Sequence, residues 1–134
     1  MLITIAIPAF DEEKLLAATL AAVTEAGDAF SERNWEMEVV VCDNNSTDRT
    51  AEIAEAGGAR VVFEKHNQIS RARNAAGKAA KGEWIIFLDA DSEPSKALFE
   101  ATAVAMEKKE VIGGGTTINY DVQNWVVTII TVVW

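Results

Sequence analysis

The 134-residue sequence predicts an α/β fold: a mainly parallel, Rossmann-like sheet with helices on both faces. Two observations predict it. Apolar runs rich in β-branched residues recur along the chain, and segments with helical spacing lie between them. Strands that alternate with helices of about ten to fifteen residues join through right-handed crossovers, and those crossovers cover a parallel sheet on both sides.

The first apolar run is Leu2 to Ile7, and the second is Met37 to Cys42. Ala59 to Phe63 and Trp84 to Leu88 follow, with a less clear run at Val111 to Ile118. Leu16, Leu20 and Val23 mark a helix between the first two runs. Ala51, Ile53 and Ala54 lie in a second helix, which stops at Gly57-Gly58. In "HNQISRARNAAGKAAKGEW" a step of about 100° per residue sets Ile69, Ala72, Ala76 and Ala80 on one face, with Arg71, Asn74, Lys78 and Lys81 opposite. Leu98, Ala101 and Ala105 mark a last helix, entered through Pro94.

The hydrophobic fraction of 49% and charged fraction of 25% belong to an ordinary globular domain and exclude a disordered tail or a fibre. A net charge of −9 argues against a general affinity for nucleic acid or an anionic membrane. Residues 60 to 81 reverse the sign: Arg60, Lys65, Arg71, Arg73, Lys78 and Lys81 against Glu64 give +5, leaving −14 on the remainder. An anionic ligand would be met there. The single Cys42 can form neither an internal disulfide nor a zinc cluster, so a cytoplasmic setting is expected. "MLITIAIPAF" has no basic n-region, and no signal peptide is expected. "WVVTIITVVW", residues 125 to 134, has about half the length of a membrane span.

Ligands of open parallel sheets bind beyond the carboxyl ends of the strands, which selects "IPAFDEE", "CDNNSTD" and "LDADSEP". Asp89 and Asp91 end the run "IIFL", and charge that is buried without a partner costs several kcal/mol, so they must meet water, a cation or a hydrogen-bonding partner. Both can turn toward one Mg²⁺ or Mn²⁺ ion, which takes one or two protein carboxylates with phosphate oxygens and water completing the shell. The competing role is to cap the helix entering at Pro94, with Ser92 sharing the task. Asp43, just past the second run, is placed to accept from the ring N–H of uracil or guanine, and Ser46 or Thr47 to cap the following helix. Turn and cap chemistry alone also explains that segment. Arg73 falls on the apolar side of its helix and needs an anionic partner: Asp43, Asp89 or a ligand phosphate. A buried structural ion pair is the alternative. His66 reads as a surface residue, and Gly113 to Gly115 read as a close backbone approach to a sugar or as a flexible turn. The sequence lacks a phosphate loop, a G-x-G-x-x-G after the first run and an H-E-x-x-H, so P-loop, dinucleotide and zincin readings lose support.

In order, "ITIAIPAFDEE", "EVVVCDNNSTDRTAEIA" and "RARNAAGKAAKGEWIIFLDADSEP" resemble the family 2 glycosyltransferases over residues 2 to 115. The resemblance implies a GT-A fold and a nucleotide-diphosphate sugar donor of the UDP or GDP type. It sets Pro8, Ala9 and Phe10 against base and ribose, places Glu12 in the nucleotide site, gives Asp43 the base, and brings Arg73 close to the nucleotide. It also implies that Asp89 faces the ribose or metal shell and that Asp91 coordinates the divalent cation, Mn²⁺ or Mg²⁺. Asp11 stands where the family commonly has asparagine, and Asn67-Gln68 where it often has glycines. By the same resemblance residues 1–134 are a single, partial nucleotide-sugar-binding domain, cut short within an apolar segment at 122–134. The general base of an inverting transfer to an unidentified hydroxyl acceptor is then expected beyond residue 134. Residues 125–134 would supply a self-associating or membrane-proximal contact, with membrane association of the complete protein. Two other readings compete: a non-catalytic nucleotide-sugar binding module that needs a partner chain, and a nucleotidyltransferase. The latter is disfavoured because "IPAFDEE" replaces its glycine-rich basic loop.

Overall fold

The computed structural model describes residues 1–116. Strands β1 (Leu2–Ala9), β2 (Glu36–Asp43), β3 (Arg60–Phe63) and β4 (Trp84–Phe87) form one all-parallel sheet in the order β3-β2-β1-β4. Strand β1 lies inside the sheet; Ile5 pairs with Val39 on one side and with Ile86 on the other. Its residues from Ile3 onward are all buried, as a two-sided parallel strand requires.

Alternation along β1 divides the core. Ile3, Ile5 and Ile7 face a large cluster with Leu16, Leu20 and Val23 of α1 (Leu16–Ala26), Phe30 of α2 (Asp28–Ser31), Ala54 of α3 (Thr50–Ala56), and Phe99 and Ala103 of α5 (Lys96–Met106). Ala6 faces a smaller cluster with Val40, Cys42 and Ala72 and Ala76 of α4 (Ile69–Ala79). The four-residue α2 has no counterpart in the sequence periodicity, yet its Phe30 stacks on Phe99 at 5.0 Å between ring centroids and ties α2 to α5.

The expected helices form, with local corrections. Helix α3 ends as a Schellman motif: Ala59 N–H donates to the Ala54 carbonyl, Gly58 N–H donates to the Glu55 carbonyl, and Gly58 takes φ +81°. Ser46 and Thr47 do not cap α3, which begins at Thr50; the Thr50 N–H instead donates to Asp48 Oδ1 at 2.9 Å. Helix α5 buries Phe99 and Ala103, whereas Ala101 is exposed, because contact with α2 sets the inward face. In α4, Ala72 and Ala76 are buried, while Ile69 is exposed and Ala80 lies past the last turn. Gly82 allows the closest backbone approach: a Cβ there would lie 2.6 Å from Thr4 N, and the Gly82 N–H donates to Thr4 Oγ1.

The run at Trp84 to Leu88 is not continuously buried. Helix α4 packs over β1, β2 and β3, and β4 alternates, with Ile85 39% and Phe87 44% exposed. No strand forms over residues 111–116, which hold Gly113 to Gly115; the rest of the expected Val111 to Ile118 run, and residues 122–134, lie outside the described residues. Among the described residues, no helix is long and apolar enough to cross a membrane.

Candidate functional site

The loops after β1 and β2 are stitched together by reciprocal bonds. Asp11 takes φ +53°, a conformation that aspartate and asparagine tolerate best among residues with a side chain beyond Cβ, and its Oδ1 accepts from Thr47 N–H at 2.7 Å. Either residue supplies that oxygen, which accounts for aspartate at a position where asparagine was expected. Asp11 N–H donates to Ser46 Oγ, Glu12 N–H to Thr50 Oγ1, and Glu13 N–H to Asp48 Oδ2. In return, the Arg49 N–H donates to Glu13 Oε2. The hydroxyls of the "NNSTDRT" stretch thus hold the loop after β1 in place.

A second tie runs from β2 to the segment before α4. Asn44 is almost fully buried; its Nδ2 donates to the Glu64 carbonyl at 3.1 Å and the His66 carbonyl at 2.5 Å, and its Oδ1 accepts from Gln68 N–H at 2.9 Å. His66 is itself exposed, as expected.

These ties shape a cleft of about 480 Å³ at the carboxyl end of the sheet. Pro8, Ala9, Phe10 and Glu12 line it from β1 and its loop, and Asp89, Ala90 and Asp91 from the loop after β4. Asn44, Asn67, Gln68, Ile69 and Ala72 complete the wall. Six expected site residues therefore meet: Pro8, Ala9, Phe10, Glu12, Asp89 and Asp91. Asp43 does not line the cleft; it is buried at the end of β2, where its Oδ1 accepts from Ser46 N–H and fixes the turn. Arg73 stands beside the cleft, with Nη2 2.6 Å from Asp89 Oδ1 and its guanidinium 5.9 Å from the centroid of the Phe87 ring. The pair is not a buried one: the two side chains are 42% and 52% exposed, so it contributes about 1 kcal/mol at most. Sequence reasoning found the strand ends but missed Asn44 as a tie and Ile69 as a cleft residue. The available signal for Asn44 was its place directly past β2.

The capping role of the aspartates does not hold. Ser95 caps α5, accepting from Leu98 N–H at 3.2 Å. Asp91 joins none of the ion pairs among the described residues. Its charge is felt by Glu12, whose carboxyl is raised above the usual range first by burial and then by the Asp91 and Asp48 carboxylates. Among the described residues, no three His, Cys, Asp or Glu side chains form a closed metal cage. Asp89 and Asp91 instead offer the open oxygen set that Mg²⁺ or Mn²⁺ takes when phosphate oxygens and water complete the shell, so the residues present fit such an ion.

Known proteins are similar to this chain in sequence and in fold. The chain is 40% identical over 84 residues to a TPR repeat-containing protein of Synechococcus elongatus, covering 62% of this chain and 19% of that protein. It is 30% identical over 131 residues to the Escherichia coli UDP-Glc:alpha-D-GlcNAc-diphosphoundecaprenol beta-1,3-glucosyltransferase WfaP, covering 84% and 50%. The chain thus spans half or less of the length of these curated relatives. The structure of S. aureus TarS 1–349 in complex with UDP-GlcNAc superposes with a TM-score of 0.69 and 27% identity, covering 80% of this chain and 31% of that one. A Pyrobaculum calidifontis mannosyltransferase, solved in complex with GDP-Man and Mn²⁺, shares the fold at a TM-score of 0.70 and 24% identity, over 81% and 33%. The fold is that of the GT-A glycosyltransferases, of which the chain holds a part. The model of Glycosyl transferase family 2 matches residues 4–131, and the chain belongs to that family.

Proposed function

We propose that the chain forms the donor and cation site of a glycosyltransferase that moves a sugar from a nucleoside diphosphate of the UDP or GDP type to a hydroxyl acceptor, with inversion. One observation carries the reading: the loop after β1 and the Asp89-Ala90-Asp91 triplet converge on one cleft at the carboxyl end of a parallel sheet, and the triplet caps no helix. Phe10, exposed at the cleft, offers an apolar ring on which a base can stack, and the Pro8-Ala9 backbone brings β1 close to the ribose. Asp91, with Asp89, holds the cation. When bound, Mg²⁺ or Mn²⁺ supplies positive charge against the negative charge that develops on the leaving diphosphate. Arg73 fixes the Asp89 carboxylate beside it, and Asp43 acts through the turn it holds. The TarS structure, solved in complex with UDP-GlcNAc, supports the donor class.

Calorimetric titration of UDP and GDP, with and without Mn²⁺, tests the reading. Binding of at least one nucleotide that depends on the metal and is lost in Asp91→Ala is expected. Failure of both nucleotides to bind, or binding indifferent to the metal and to Asp91, would overturn it.

A further inference from the structure

We propose that Thr19 is the positioning residue of the cation site: from α1 its hydroxyl anchors the Asp89-Ala90-Asp91 turn so that both carboxylates stand in the cleft. The proposal rests on the donor-site reading above.

Thr19 is the polar member of an apolar stripe. Helix α1 buries Leu16, Thr19, Leu20, Val23 and Ala26, and Thr19 is 1% exposed. A hydroxyl buried there costs free energy unless it is bonded. The usual partner of a threonine inside a helix is the carbonyl one turn back. Thr24 and Thr102 take that partner, donating to the Leu20 and Leu98 carbonyls. Thr19 instead donates across the core, from Oγ1 to the Ala90 carbonyl at 2.7 Å, 71 residues away in sequence.

That carbonyl needs a donor from outside its own turn. The Ser92 N–H closes the turn on the Asp89 carbonyl at 3.1 Å, and the Leu88 N–H ties the preceding residue to the Ala6 carbonyl. Neither bond serves Ala90, which is 4% exposed and belongs to the large core cluster. Left unpaired, a buried carbonyl is costly enough to draw a loop out toward water. With Ala90 anchored inward, its neighbours face outward: Asp89 and Asp91 are both exposed, and both line the cleft. The same helix also meets the loop after β1. Its Leu16 N–H donates to the Glu12 carbonyl at 3.0 Å, so one rigid element sets that loop against the loop after β4. Removing a group that orients metal-binding side chains typically lowers cation affinity by about ten- to a hundredfold.

Mn²⁺ binding to the full chain in the presence of UDP or GDP, read from the electron paramagnetic resonance of the free ion, tests the proposal. Thr19→Val keeps the side-chain shape and removes the donor, and its Mn²⁺ affinity is expected to fall about tenfold. Thr19→Ser keeps the hydroxyl and should stay within about twofold of the wild type. Thr24→Val loses a hydroxyl bond in the same helix, away from the turn, and should bind Mn²⁺ as the wild type does. Urea unfolding of each variant separates grip from stability. Should Thr19→Val fail to fold, Thr19→Cys takes its place, with a weak donor of similar size and the same expected loss. A folded variant without the hydroxyl that is less stable yet holds Mn²⁺ at wild-type affinity overturns the proposal and leaves the donor site standing. So does an equal loss in Thr24→Val, or a Thr19→Ser protein that fails to restore the grip. No Mn²⁺ bound by the wild type with either nucleotide overturns both readings.

Discussion

Asn44 uses every hydrogen-bonding group of its side chain inside the protein, and none of this shows in the sequence, where it is one polar residue in "DNNSTD". Truncation strands two carbonyls and an N–H, so Asn44→Ala should lower stability by about 2–3 kcal/mol, measured by urea unfolding. Arg73 makes the opposite case. Its helical phase correctly put it on the apolar side, where it meets the Phe87 ring, but that side is half open at β4 and its pair with Asp89 is solvated. Arg73→Ala should therefore cost under about 1 kcal/mol of stability. Cys42 was legible outright as a small buried hydrophobe. Burial, and then the Glu64 and Asp43 carboxylates, push its thiol from 9.0 up to about 11. The folded protein favours the protonated thiol, so this contribution to stability is whole below pH 9.0 and lost as the pH rises toward about 11. A thiol reagent at pH 8 should accordingly label Cys42 only as fast as the protein unfolds.

Four strands and four helices were legible because each repeats an apolar period, whereas the N-terminal helix caps expected from the sequence did not form. Helix α2 was not, since four residues cannot display a helical period. The ties between elements were equally hidden. Glu38 on β2 accepts from the Thr4 hydroxyl of β1, from Arg60 of β3 and from the Lys81 N–H ahead of β4. Burial alone would raise its carboxyl, but these three donors outweigh burial and hold it below 4.5. A depressed carboxyl stabilises fully above its ordinary value and loses that contribution as the pH falls below 4.5, so Glu38→Gln should flatten the acid limb of stability against pH. Gly82 sits at the same junction; Gly82→Ala drives a Cβ into the Thr4 backbone and should cost about 2–3 kcal/mol in denaturant unfolding.

For the molecule as a whole, the cleft exists only in the folded state, so a donor bound as proposed would be linked to stability. Nucleotide with Mn²⁺ at a hundred times its dissociation constant adds about 2.7 kcal/mol and should raise the melting temperature by about 10 °C, an effect absent in Asp91→Ala. The position of the candidate cleft was legible because parallel sheets open at their carboxyl ends, whereas its wall depends on hydrogen bonds between elements that the sequence does not display. The stitching of the loops after β1 and β2 also bears on motion. The amides of Asp11, Glu12, Glu13, Thr47 and Arg49 donate across the same seam, so freeing one frees its neighbours. In deuterated solvent these five protons should exchange as a single cooperative unit at one common rate, and a saturating donor should slow them all by the same factor.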